Sequence, residues 1–196
     1  MRRSAVIEAD DDQLIALAAG GDRQAFGDLY ERYALRVFRH AQFLTGDPVL
    51  AEDVTAQVFL KALEAIPRYE ARGVPFVAWL LRIACNLVIN YRKSAKNNGH
   101  AQIPETIEAT GTFFSPEDSC EIKVDGERVW REVSKLPYEQ RQVIVMRFLD
   151  DLGYPEIAQV LGKTVGAVRV VQFRALANLR LMLDNELNLY RRRRAV

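Results

Sequence analysis

Along the chain, apolar positions recur with a period near 3.6 residues, and strand-like alternation is nearly absent. The chain therefore reads as a series of helices. Asp10 to Asp12 are placed to cap a first short helix that runs to Gly20-Gly21, a glycine stop. Asp22 then precedes a long segment in which Phe26, Leu29, Tyr30, Tyr33, Val37 and Leu44 keep helical spacing. Gly46-Asp47-Pro48 marks the next start, with Asp47 as cap and Pro48 in the first turn. This third helix covers roughly 48–66 and ends at Pro67. A polar loop from Arg68 to Val74 leads through Pro75 into a fourth helix, from about Phe76 to Lys93, closed by Asn97-Asn98-Gly99.

From about 98 to 125 no period is sustained, and Pro104, Gly111 and Pro116 interrupt an acidic stretch, which reads as a linker with at most a helical turn. Beyond it, Trp130 to Leu136 is a short helix stopped by Pro137. Three further helical segments follow, at 138–149, 154–161 and 165–183, with Gly153 and Gly162 at the breaks. The expected fold is all-α: two small helical domains, 1–97 and 126–196, joined by an acidic flexible linker at 98–125. The final Arg191-Arg192-Arg193-Arg194 run is expected to be disordered.

The segment Glu156 to Val170 has the form of a helix-turn-helix: a short apolar-patterned helix, a turn at Gly162-Lys163-Thr164, and a longer helix bearing arginines. Ile157, Ala158, Leu161, Val168, Val171 and Ala175 suit the small core between the two helices. Thr164 stands at the N-cap position, where free amides favour a phosphate. On a helical wheel the outward arc holds Arg169, Val170, Phe173, Arg174 and Ala177. Arginines there reach guanine edges or phosphates, and Val170 and Phe173 suit thymine methyls.

The fourth helix carries a second stripe. Arg82, Asn86, Asn90 and Lys93 recur at three- and four-residue steps, opposite Leu80, Ala84, Leu87 and Val88. Amides and arginines hydrogen-bond to bases, and Trp79 and Tyr91 add stacking surface. Charge sharpens this picture. The overall net charge of +1 conceals −3 over 1–75, +4 over 76–100, −6 over 101–127 and +6 over 128–196. Two basic blocks flanking an acidic one point to two contacts with a polyanion.

Composition removes other classes. A hydrophobic share of 49% with 27% charged residues describes a globular chain with a core. No apolar run approaches the roughly 20 residues that span a bilayer, and the N-terminal segment has no apolar signal core, so a cytoplasmic location is expected. Cys85, Cys120, His40 and His100 show no close ligand spacing, which argues against a metal site. His40 and His100 have no recognisable catalytic partners, so neither an enzyme nor a cofactor is expected.

The order of these segments resembles that of bacterial sigma factors, in particular the small two-domain extracytoplasmic-function (ECF) group. The resemblance is carried by Asp22 to Tyr33, Ala51 to Leu63, Phe76 to Lys93, Leu136 to Phe148 and Tyr154 to Val170, and covers nearly the whole chain. It implies a protein that binds core RNA polymerase and directs it to promoters. The helix with Asp53, Gln57 and Phe59 would contact the polymerase clamp, with Asp53 and Gln57 exposed, and Leu136 to Phe148 the flap. Ala56 and Gln57 stand where the family usually shows glutamine and an acid. Minus-ten recognition and melting would fall to Arg68, Tyr69, Arg72, Trp79, Arg82, Asn86, Asn90 and Lys93. Minus-thirty-five recognition would fall to Thr164, Arg169, Phe173 and Arg174. Cys85 stands where a basic residue is frequent, and Val170 and Val171 replace polar or basic residues.

The resemblance also implies an anti-sigma partner. It places the acidic segment with Glu105, Glu108, Glu117, Asp118 and Glu121 in the polymerase cleft, where a plain solvated tether is the other reading. Two alternatives remain at the level of sequence. A sigma-like decoy would tolerate acids on both reading helices, which Arg82, Asn86, Arg169 and Arg174 oppose. A helix-turn-helix regulator without promoter melting would account for 130–183 but not for the stripe on the fourth helix.

Overall fold

The computed structural model describes residues 10–70, 73–98 and 123–194. Among them the chain forms eight α-helices, one 3-10 turn and no strand. None of these helices is long and apolar enough to cross a membrane. The four helices of the first unit are α1 (Asp11–Ala19), α2 (Arg23–Thr45), α3 (Pro48–Ala65) and α4 (Phe76–Asn98), with the 3-10 turn Ile66–Arg68 after α3.

The sequence signals explain these bounds. Asp22 accepts hydrogen bonds from the amides of Gln24 at 2.8 Å and Ala25 at 3.2 Å, and Asp47 does the same for Val49 and Leu50. Gly46 ends α2 in the left-handed region at φ 72°, donating to Gln42 O. Asp10 occupies the N-cap of α1 but makes no side-chain cap. Its neighbour Asp11 instead ties α1 to α2, accepting from Arg32 and from the Tyr33 hydroxyl. Burial and that bond to Asp11 push the Tyr33 pKa up, so its phenol remains a donor.

Leu14 and Ala18 of α1, Leu29 and Val37 of α2, Val54 and Val58 of α3, and Leu80 and Ala84 of α4 fill the core of this unit. Phe59 packs edge-on against Tyr30 with ring centroids 4.7 Å apart and against Phe26 at 6.4 Å.

The second unit contains α5 (Lys123–Ser134), α6 (Tyr138–Phe148), α7 (Tyr154–Leu161) and α8 (Val165–Arg194). Two expectations need correction. The helix before Pro137 begins at Lys123, not Trp130; its first turns hold Asp125, Gly126 and Glu127, whose glycine and acids hide the start in the sequence. The last helix continues to Arg194, so Arg191 to Arg194 are helical in backbone, not disordered. Arginine is a good helix former and no glycine or proline intervenes. The acidic segment with Glu105, Glu108, Glu117, Asp118 and Glu121 lies outside the described residues.

The two units are in direct contact. One apolar core runs through both, joining Leu80, Ala84 and Val88 of α4 to Met146, Ile157, Val160 and Val168. A second cluster seats Phe43 of α2 among Val133, Leu136, Ile144, Val145, Ala175 and Leu179, with its ring 4.8 Å from that of Trp130.

Candidate nucleic-acid interface

Helical spacing puts the polar stripe of α4 outside and its apolar stripe inside. Arg82, Asn86, Asn90 and Lys93 are exposed, while Leu80, Ala84, Leu87 and Val88 are buried. A cavity of about 530 Å³ opens beside the start of this stripe, lined by Lys61, Arg68, Tyr69, Trp79, Arg82 and Asn86 among others. Of its lining residues, Tyr69 lies 4.8 Å from Trp79, and the buried ring of Phe76, which does not line the cavity, lies 5.3 Å from each. Tyr69 and Trp79 are half-buried, held in place yet presenting a face. Burial, followed by the charges of Asp12 and Asp11, raises the Tyr69 pKa and keeps its hydroxyl a donor. Tyr69 and Trp79 suit an unstacked base, and the lining is of mixed charge, with Lys61, Arg68 and Arg82 beside Glu64 and Glu70. Arg72 lies outside the described residues.

In the helix-turn-helix, Gly162 closes α7 at φ 64° and α8 begins one turn later. Thr164 caps α8, its Oγ1 accepting from the Ala167 amide at 3.2 Å, which leaves its own O–H to donate. Ile157, Val168 and Ala175 are fully buried beneath it. Arg169, Val170, Phe173 and Arg174 are all exposed, Phe173 at 76% and Val170 at 49% of full accessibility. The sequence did not single out Tyr154. Its ring lies 5.1 Å from the Arg169 guanidinium and 5.5 Å from that of Arg147, a stacking contact that orients Arg169.

On α3, Asp53 is exposed and Gln57 half-buried, its amide donating to the Tyr91 hydroxyl at 2.6 Å. Phe59 behaves differently from its neighbours on that helix. It is 5% exposed and presents no surface to a partner; its contribution is to support Tyr30, which is exposed. Leu60 and Leu63 of α3 are also exposed.

The sequence offers His40 no nearby partner. His40 is fully buried, its Nδ1 lies 2.6 Å from Asp150 Oδ2, and its Nε2 lies 3.5 Å from Cys85 Sγ. Its partner is 110 residues away, so no local pattern could show it. The two contacts leave opposite sides of the ring, and the three groups do not converge on a common point. Among the described residues no cluster of histidine, cysteine and carboxylate ligands could hold a metal.

Residues 29–98 match the family described as Sigma-70 region 2, and residues 126–179 match Sigma-70, region 4. The chain is 32% identical to the ECF RNA polymerase sigma factor SigD of Mycobacterium tuberculosis over 174 residues, 86% of this chain and 82% of that protein. It belongs to the ECF RNA polymerase sigma factors. It is also 34% identical to the ECF RNA polymerase sigma factor BldN of Streptomyces coelicolor, over 89% of this chain but 66% of that protein. Among solved structures, this sigma factor superposes on CnrH in complex with the cytosolic domain of CnrY at TM-score 0.65, with 28% identity, over 90% of this chain and 99% of that one. The two matched regions contain the α4 stripe and the α8 arc respectively, and leave 99–125 unmatched.

Proposed function

We propose that this sigma factor carries core RNA polymerase to specific promoters and reads them with two surfaces of different chemistry. The α4 stripe, the rings of Tyr69 and Trp79, and the basic groups Arg68, Arg72 and Lys93 act on the opened minus-ten strand. Arg169, Phe173, Arg174 and the Thr164 cap read the intact minus-thirty-five duplex. Asp53 and Gln57, with the exposed Leu60 and Tyr30, form the clamp-facing surface, and Phe59 holds that surface from beneath. The protein contributes binding and strand separation, not bond chemistry, and works in the cytoplasm where the polymerase is.

The observation that carries this reading is the coincidence of exposure and chemistry on both helices. Arg82, Asn86, Asn90 and Lys93 share one free face of α4, and Arg169, Val170, Phe173 and Arg174 share one free face of α8. A decoy would have no need of either. The apolar exposure of Val170 and Phe173 also suits a protein partner covering α8, so an anti-sigma factor is proposed as the regulator.

In vitro transcription with core polymerase, followed by mapping of start sites, is the test. Promoter-dependent transcripts sharing two upstream elements are expected; the absence of any such transcript from any template would remove the reading. Replacing Arg169 and Arg174 with alanine should weaken upstream-duplex binding by about 1–3 kcal/mol per base-contacting side chain. Polymerase binding should be unchanged in a pull-down.

A further inference from the structure

The helix proposed to face the polymerase and the helix proposed to face the minus-ten strand meet along a groove. Late residues of α3, Lys61 and Glu64, share the cavity with early residues of α4, Trp79 and Arg82. Earlier in α3 and later in α4, the Gln57 amide donates to the Tyr91 hydroxyl at 2.6 Å. The two helices thus run antiparallel, with the cavity toward one end of their groove and the Gln57–Tyr91 bond toward the other.

Tyr91 does not belong to the polar stripe beside it. It falls in helical register with Leu80, Ala84 and Leu87, on the side of α4 that faces the core, and its half-buried ring packs there. Its place is against α3, away from the stacking face of Trp79. Gln57 has a different set of neighbours. Asp53 and Leu60, one turn before and after it on α3, are exposed and belong to the surface proposed for the clamp. Lys61, also one turn on, lines the cavity. A single side chain therefore lies among the groups that polymerase would cover and is bonded to the helix that carries Arg82, Asn86, Asn90 and Lys93.

We propose that Gln57 and Tyr91 are positioning residues that pass polymerase docking on α3 to the minus-ten surface of α4. The inference rests on the promoter-reading function above and adds a route between its two partners. A clamp seated over Asp53 and Leu60 confines Gln57, and the bonded Tyr91 is confined with it. The spacing of α3 and α4 is then fixed behind the cavity, and Asn86 and Asn90 on either side of that point are held for the strand. Fixing these groups beforehand removes an ordering cost that strand binding would otherwise carry. Tyr91 needs no contact with DNA for this. A carboxylate at position 57 would accept from the Tyr91 hydroxyl, so glutamine and glutamate both supply the bond.

The test uses holoenzyme assembled at saturating core polymerase, so that differences in clamp affinity drop out. The probe is fluorescein-labelled fork-junction DNA whose single-stranded arm is a mixed-sequence pool. Tyr91→Phe removes one hydroxyl and keeps the packed ring. It should weaken fork binding about fivefold, equivalent to about 1 kcal/mol at about 1.4 kcal/mol per tenfold. Gln57→Leu should weaken it to the same extent, the Gln57→Leu/Tyr91→Phe double variant should be no weaker than either, and Gln57→Glu should bind as wild type. By linkage, the gain in polymerase affinity on adding fork DNA should be about fivefold smaller in Tyr91→Phe than in wild type. Fork affinity unchanged in Tyr91→Phe would overturn the proposal, as would a double variant whose loss is the product of the two single losses. Equal weakening on fully paired DNA of the same length would assign the effect to general loosening of the fold and overturn it too. If wild-type holoenzyme binds the fork no better than paired DNA, the promoter-reading function falls and the proposal with it. If wild type prefers the fork and Tyr91→Phe prefers it equally, the coupling alone falls.

Discussion

Gly162 shows how one residue sets the angle between two helices. Its N–H bonds to Ala158 O, its φ of 64° is left-handed, and an added Cβ would meet nothing within 4 Å. The cost of replacing it is therefore backbone strain without collision. Gly162→Ala should lower stability by about 1 kcal/mol in a urea titration, with helix content kept. A neutral result would mean that the turn relaxes elsewhere. The preference for glycine here was legible because Gly162 separates two apolar-patterned segments. The role of Tyr154 was not, since its contact with Arg169 arises only when α7 and α8 cross.

At the scale of elements, α2 belongs to both units: Leu29 and Val37 face the first core, and Phe43, near its end, faces the second. Phe43→Ala should cost about 3–5 kcal/mol, the usual range for emptying a buried aromatic site. It should also split thermal unfolding monitored by calorimetry into two transitions; one unchanged transition would show that the units do not depend on this ring. Helix existence and most starts were readable, because Asp22, Asp47, Pro48 and the glycine stops act within a few residues. The early start of α5 and the long run of α8 were not, because nothing local distinguishes a helix that stops from one that continues. The stripe on α4 and the arc on α8 were legible for the same reason as the caps. Helical periodicity alone puts Arg82 and Asn86 on one face. The burial of Phe59 escaped, since its partners Phe26 and Tyr30 come from another helix.

At the scale of the molecule, the joint between the units depends on pH. Burial works against a charged His40, but the charge and hydrogen bond of Asp150, with a smaller part from Cys85, outweigh it and raise the pKa from 6.5 to about 10. The groups facing the ring are Asp150 from the loop after α6 and Cys85 from α4, with Arg36 reaching the Asp150 carbonyl. A raised histidine pKa contributes stability that is complete below about 6.5 and is lost as pH rises through about 10. The compact form should therefore loosen from neutral pH toward pH 10 in scattering measurements. The His40→Leu/Asp150→Leu variant should show no such loosening, and an identical pH response in both would assign the effect to other groups.

The apolar core shared by α4 and α7 bears on the lifetime of the free protein. Separating the units uncovers Val160, Ile157 and part of the α4 face, together with Phe43 and its pocket. Such surface invites proteases and self-association when polymerase is not there to occupy the chain. Mutations that loosen the joint should therefore shorten the half-life of the chain even where every DNA-reading side chain is intact.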